Sequence, residues 1–118
     1  MSFHGGMRQR AALLRTYMFE SKVILLDEPF NSLDAITKSS MHKWYLNLIS
    51  THKKSTIFIT HDINEAIILA DKICIISGSP GTITHELTIN KSNEKNFELS
   101  NEFLVYKRKI LDMLGGKM

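Results

Sequence analysis

A single cysteine, Cys74, is all that the 118-residue chain carries. An internal disulfide is therefore excluded, as is any Cys-based metal site. Its place in an apolar run reads as a buried thiol in a reducing, cytoplasmic compartment. Long apolar runs are missing too. Val23-Ile24-Leu25-Leu26 and Ile73-Cys74-Ile75-Ile76 are only a few residues long, against the roughly 20 that a membrane-spanning helix needs, so any membrane role is expected through a partner. The 15 Lys and Arg against 12 Asp and Glu leave +3, spread along the chain without a basic block, which favours neither DNA nor RNA. His4, His42, His52, His61 and His85 show no short paired spacing of the kind a histidine metal site uses. Met1 to Gly6 has neither the basic stretch nor the apolar core of a secretory signal. There is no internal repeat and no low-complexity tract. What is present is average globular composition, 43% hydrophobic and 23% charged, enough for one small core.

The hydrophobic pattern alternates between two periods. Met7, Ala11, Leu14 and Met18 recur at helical spacing directly after Gly5-Gly6, which therefore leads into a helix N-terminus. No strand precedes it. Val23 to Leu26 is a continuous aliphatic run of the kind buried on both faces of a parallel sheet, and it stops at Asp27-Glu28-Pro29. A turn through Phe30 to Asp34 leads to a second helix with Met41, Trp44, Leu48 and Ile49 inward. Thr56 to Thr60 is a second buried strand, ending at His61-Asp62. Asp62 with Glu65 has capping spacing for the helix bearing Ala66, Ile67 and Ala70. Lys72 to Ser77 predicts a third strand, Gly78 to Gly81 a tight turn, and Thr82 to Leu87 a strand returning as a hairpin. Asn90 to Ser100 is polar and loop-like; Ser100 can then cap a last helix with Phe103, Leu104, Ile110, Leu111 and Leu114, closed by Gly115-Gly116. The order predicts an α/β fold, a mostly parallel sheet with a short antiparallel hairpin and a C-terminal helix. Residues 1–89 would form one partial domain, and residues 90–118 a linker with an amphipathic helix.

In parallel sheets chemistry collects at the carboxyl ends of the strands, where Asp27-Glu28 and His61-Asp62 fall. Two adjacent carboxylates at a strand end can place one on Mg²⁺, usually through water, and the other against an attacking water, as nucleotide hydrolysis requires. Equally, Asp27 can cap a turn while Glu28 is a solvated acid. Gly5-Gly6 leaves backbone N–H groups open to an anion or is plain turn chemistry. His61 can hydrogen-bond a phosphate oxygen or a water, or be a simple surface residue. Lys107-Arg108-Lys109 reads best as a solvated helical face.

The succession of motifs carries more than any one of them: Phe3-His4-Gly5-Gly6-Met7-Arg8-Gln9-Arg10, then Leu25-Leu26-Asp27-Glu28-Pro29, then Asn31-Ser32-Leu33-Asp34, then Ile59-Thr60-His61-Asp62. It resembles the second half of an ABC transporter ATPase, with signature motif, Walker B, D-loop and H-loop in family order. The wording around Gly5 to Thr16, with Ser79 to Ile83 and Glu102-Phe103 to Leu111, is similar to the nitrate, sulfonate and taurine importers of that family. The resemblance implies a P-loop-type ATPase fold represented by its C-terminal half and, as cofactors, ATP and Mg²⁺. Asp27 would bind Mg²⁺, Glu28 would polarise the attacking water, and His61 would sense the γ-phosphate. Asp34 would couple two sites at a subunit boundary. His4, Gly5, Gly6 and Met7 would meet, in trans, the nucleotide held by a second ABC ATPase subunit. The other implied partners are membrane permease subunits, which hold the ATPase on the inner face of the cell membrane; no nucleic acid is implied.

Two departures stand out. Phe3-His4 replaces the usual Leu-Ser of the signature, and no Gly-x-x-x-x-Gly-Lys-[Ser/Thr] occurs anywhere. The phosphate cradle and its strand are thus missing, leaving an open edge on the Walker B strand and an isolated chain expected to be inactive. A second expectation is a non-catalytic interaction protein that offers a signature surface to a complete ATPase.

Overall fold

The computed structural model describes residues 3–91 and 96–115, with side chains described from Gly6 onward. The chain forms two compact units, one ending at His61 and the other beginning at Asp62.

In the first unit, helix α1 (Phe3–Met18) leads to strand β1 (Val23–Asp27), helix α2 (Ala35–Thr51) and strand β2 (Ser55–Ile59). The two strands are parallel, with Val23 opposite Ser55 and Asp27 opposite Ile59. Their crossover is α2, the usual way of joining parallel neighbours. The core lies on one face of this pair, where Leu13, Tyr17, Ile24, Leu26, Phe30, Met41, Tyr45 and Leu48 are all buried. Phe30, Tyr45 and Phe58 meet edge-on or tilted, with ring centroids 5.7 to 6.1 Å apart. Inside this cluster the Tyr17 hydroxyl shares hydrogen bonds with those of Tyr45 (3.0 Å) and Thr56 (2.8 Å), so the buried oxygens are satisfied. Burial raises the Tyr45 phenol well above its usual range, and the Tyr17 hydrogen bond adds to the effect.

Three expectations for this unit are corrected. The runs Val23 to Leu26 and Thr56 to Thr60, both expected to be buried, are covered on one face only: Ile24 and Leu26 point inward, while Val23 and Leu25 are 57% and 63% exposed and Ile57 and Ile59 are exposed beside them. Both helices lie on the Ile24 side, and within this unit no described element covers the other. Helix α1 turns Leu13 and Tyr17 to the core, whereas Met7, Ala11, Leu14 and Met18 are exposed. The Tyr17 hydroxyl, which needs the partners α2 and β2 supply, sets that rotation. Trp44 is half-buried rather than core, with the Arg10 guanidinium 5.5 Å from its ring centroid, a cation–π contact tying α2 to α1.

The second unit runs from helix α3 (Ile63–Leu69) through strands β3 (Lys72–Ser77) and β4 (Thr82–Thr88) to a 3₁₀ turn (Phe97–Leu99) and helix α4 (Asn101–Met113). Strands β3 and β4 form the expected antiparallel hairpin, with a bulge at Ile75/Ile76. Ile67, Ile73, Ile75, Ile89, Phe97, Phe103 and Ile110 make its core. Both expected caps are present: Asp62 accepts from the Glu65 N–H at 3.1 Å, and Ser100 Oγ accepts from the Phe103 N–H at 3.2 Å. The Tyr106 hydroxyl accepts from the Asn90 N–H at 2.9 Å. Cys74 is exposed, not buried, because alternation along β3 turns Ile73 and Ile75 inward and Cys74 out. Leu104, Leu111 and Leu114 are likewise exposed, since a helix packed on one side buries only Phe103 and Ile110. Of the polar segment Asn90 to Ser100, residues 92–95 lie outside the described residues, as does Gly116 of the closing Gly115-Gly116 pair. The fold class is α/β as the sequence predicts, with a short parallel pair, a short hairpin and a terminal helix. No helix among the described residues is long and apolar enough to cross a membrane.

Candidate functional site

Strand β1 delivers Asp27 and Glu28 to its carboxyl end by register alone. The ladder closes with Asp27 opposite Ile59, and the Glu28 N–H then donates to the Ile59 carbonyl at 2.8 Å. Glu28 bends away from the strand in the left-handed region, φ +46°. A side chain bearing a Cβ is strained there by roughly 1–2 kcal/mol. Beyond Ile59 the second strand turns outward, and His61 meets the first: its Nδ1 hydrogen-bonds Glu28 Oε1. A carboxylate only accepts, so Nδ1–H is the donor when Glu28 is ionised. The outer nitrogen, Nε2, then offers a lone pair in the neutral ring and an N–H in the protonated one. His61 is 79% exposed against 31% for Glu28, so the ring faces solvent and the carboxylate is partly sheltered beneath it.

Asp27, next to Glu28, carries an exposed carboxylate on the uncovered face of the strand pair. Among the described residues, no three His, Cys, Asp or Glu side chains converge as a metal cage. One free carboxylate at a strand end fits a hydrated Mg²⁺, an ion that keeps several waters and takes its remaining ligands from phosphate oxygens. Asp34 opens α2 at its N-cap position with extended backbone, yet its side chain makes no capping hydrogen bond. That carboxylate is exposed as well.

The glycine motif lies differently from expectation. Helix α1 begins at Phe3, so Gly5 and Gly6 fall within its first turn, where backbone N–H groups lack intrahelical acceptors. The side chain of His4 lies outside the described residues. Gly6 is buried against α2, and Met7 is exposed. With Arg10, Ile36, Thr37, Ser40 and Met41 they line an open groove of about 230 Å³. The structure thus assembles two clusters: Glu28 with His61 and neighbouring Asp27 at the strand ends, and Gly6 with Met7 beside the first turn of α2 that Asp34 opens. Thr37 and Ser40 are the polar members of the groove that sequence reasoning missed. Their only signal was an i, i+3 pair of hydroxyls early in the second helix.

Parallel strands crossed over by a helix, with an acidic pair at one strand end and a histidine bonded to it from the next, are compatible with part of an α/β fold of the P-loop ATPase type. No protein-family model matches the chain. Individual proteins do. The chain is 38% identical over 121 residues to the nitrate import ATP-binding protein of Synechocystis sp., covering 96% of this chain and 46% of that protein. It is 42% identical over 114 residues to the aliphatic sulfonates import ATP-binding protein of Bacillus cereus, covering 95% and 45%. To the formylaminopyrimidine import ATP-binding protein of Halalkalibacterium halodurans it is 47% identical over 76 residues, covering 64% and 30%. The chain belongs to the ABC import ATP-binding proteins, and it spans about half the length of the relatives it matches.

Proposed function

We propose that this chain is the hydrolysis-side portion of an ABC importer ATP-binding subunit. The observation that carries the reading is the hydrogen bond from His61 to Glu28 across the ends of two parallel strands, beside the free carboxylate of Asp27. Glu28 polarises the attacking water. His61 holds the Glu28 carboxylate through Nδ1 and presents Nε2 to the water or the terminal phosphate, so one ring orients both. Asp27 would hold Mg²⁺ through water, and the ion would neutralise phosphate charge. His4, Gly5, Gly6 and Met7 face the nucleotide of a second ATPase subunit, with backbone N–H groups of the first turn of α1 as the anion donors. Asp34, uncommitted as a cap, couples the two subunits at their boundary.

The partial ATPase domain occupies residues 1–89, and residues 90–118 add a linker and helix. The partners are that second ATPase subunit and membrane permease subunits, with ATP and Mg²⁺ as cofactors, at the cytoplasmic face of the membrane. The 118 residues contain no phosphate-binding loop, and a water activated beside an unheld phosphate gains nothing from positioning. Alone, the chain is therefore expected to release phosphate from ATP at the buffer rate.

The decisive experiment is a single-chain chimera, in which this sequence replaces the matched 114 residues of the Bacillus cereus protein. The chimera should hydrolyse ATP, and Glu28→Gln should lower its kcat by about 10²- to 10⁴-fold, the usual worth of a positioned acid or base. A folded chimera without turnover, or Glu28→Gln at the parental rate, would refute the assignment.

A further inference from the structure

We infer that the outer face of α4 is a docking seam for an acidic amphipathic helix of a partner protein. The seam belongs to the second unit, which holds none of the residues proposed for hydrolysis, so it stands independently of the ATP-binding reading.

Helix α4 commits Phe103 and Ile110 to the core of its unit, with Tyr106 and Met113 partly buried against it. At about 100° per residue, the neighbouring arc of its surface carries Leu104, Lys107, Arg108 and Leu111. Leu104 is 60% exposed, Leu111 is 45%, and Leu114 at the helix end is 52%. Leu104, Lys107, Leu111 and Leu114 follow the alternating three- and four-residue spacing of a coiled-coil seam, with a cation at one position that such a seam fills with an apolar residue. Lys107 is half-buried and Arg108 exposed. Among the described residues neither has an ion-pair partner. Two leucines seven residues apart, with two uncompensated cations between them, are left facing outward.

The charges select the occupant. A second copy is disfavoured. Antiparallel α4 helices that set Leu104 of one against Leu111 of the other also set Lys107 against Arg108, and a parallel pair in register sets Lys107 on Lys107. Either way like charges meet at the middle of the contact. An anionic bilayer is drawn only weakly, because three cations against two acids leave +1 on α4, worth about 1 kcal/mol near such a surface. The helix's aromatic residue Phe103 is also turned inward, where it cannot serve as a membrane anchor. A partner helix with Glu or Asp between two apolar residues covers the leucines and compensates the cations together. Arg108 can take such a carboxylate with two parallel N–H bonds. Lys109, about 100° further round the helix, lies outside the seam.

The test titrates the 118-residue chain into labelled synthetic helices followed by fluorescence anisotropy. The two helices carry Leu at their seam positions and differ only in having Glu or Lys where they face Lys107 and Arg108. The Glu helix should bind about tenfold or more tightly than the Lys helix. Leu104→Ala with Leu111→Ala should weaken it about a hundredfold, a tenfold loss for each leucine. Lys107→Glu with Arg108→Glu should reverse the order of the two helices, whereas Lys109→Glu, a charge reversal off the seam, should leave that order unchanged. Circular dichroism checks that each variant folds; if the double reversal unfolds the unit, Lys107→Gln with Arg108→Gln takes its place and should abolish the preference. Four results would each overturn the inference. They are no binding of the Glu helix at about 1 mM, a preference indifferent to the substitutions at Lys107 and Arg108, a chain that sediments as a dimer broken by the alanines at Leu104 and Leu111, and co-sedimentation with phosphatidylglycerol vesicles that those alanines abolish.

Discussion

Replacing Phe30 tests whether the turn after the acidic pair is held by an aromatic cluster or only by its backbone. Phe30 is wholly buried, with ring centroids 5.7 Å from His42, 6.1 Å from Tyr45 and 5.9 Å from Phe58. Truncating a buried Phe to Ala costs about 3–5 kcal/mol. A unit of residues 1–61 has roughly 3–9 kcal/mol in total at ordinary stability per residue, so Phe30→Ala should remove from about a third to all of it. Phe30→Leu keeps most of the apolar volume and loses the edge-on ring contacts, about 0.5–1.5 kcal/mol each and not additive, or about 1–2 kcal/mol in all. With a urea m-value near 1 kcal/mol/M for so small a unit, the midpoint should fall by about 1–2 M. The assay is urea unfolding followed by the fluorescence of Trp44, the one tryptophan of the chain, which sits on α2 in the same unit. The second unit is silent in this signal. A Phe30→Leu midpoint within about 0.3 M of the parent, together with a Phe30→Ala midpoint less than about 1 M below it, would refute the cluster as the anchor of the turn.

Further outcomes follow from single features. The Tyr45 phenol is raised in the folded state, so the unfolded chain loses this proton first; stability present below the ordinary tyrosine range of about pH 10 declines as pH rises through and above it. Tyr45→Phe should flatten that alkaline branch of the urea midpoint measured by Trp44 fluorescence. Lys91 has the opposite sign: burial lowers it despite the opposing pull of Asp71, so its unfolded state binds the proton more tightly. Lys91→Met should raise the thermal midpoint followed by circular dichroism at neutral pH, with the gain fading as pH rises toward the lysine range. At Gly6 a Cβ would stand 3.4 Å from Thr37 Cγ2 and 3.8 Å from Met41 Sδ, ordinary contact. Gly6→Ala should therefore fold as well as the parent or better, by up to about 1 kcal/mol in urea titration. Glu28→Gly should also stabilise the first unit, by about 1 kcal/mol after the entropy of the unfolded glycine is counted, while removing the proposed hydrolytic carboxylate.

Strand-end chemistry was legible from sequence because it depends on register and on where aliphatic runs stop. Asp27, Glu28 and His61 fall at strand ends under any pairing that keeps both runs intact, and the structure adds the hydrogen bond between two of them. Asp62 and Ser100 were legible as caps for a similar reason, since capping is a local reaction between a side chain and the next turn. Helix orientation was not. Apolar residues lie around most of α1, so spacing alone admits both the Met7, Leu14, Met18 face and the Leu13, Tyr17 face. Only the hydroxyl partners Tyr45 and Thr56, distant in sequence, decide between them. The strand Val23 to Leu26 shows the converse. Its unbroken aliphatic run describes a place between two layers, and the described residues supply one. The exposure of Cys74 is not legible in sequence because a four-residue apolar run carries no phase, and the hairpin register gives it one.

The left-handed backbone at Glu28 sets conformation against composition. By local preference the position suits glycine or asparagine, and glutamate is a poor occupant of it. A glutamate there persists only while something other than folding selects for its carboxylate. Across copies of this gene the residue at position 28 is thus a gauge of use: lineages that still exploit the acid should keep it, and lineages that have abandoned it should drift toward glycine or asparagine first, before the buried core of the same unit shows any change.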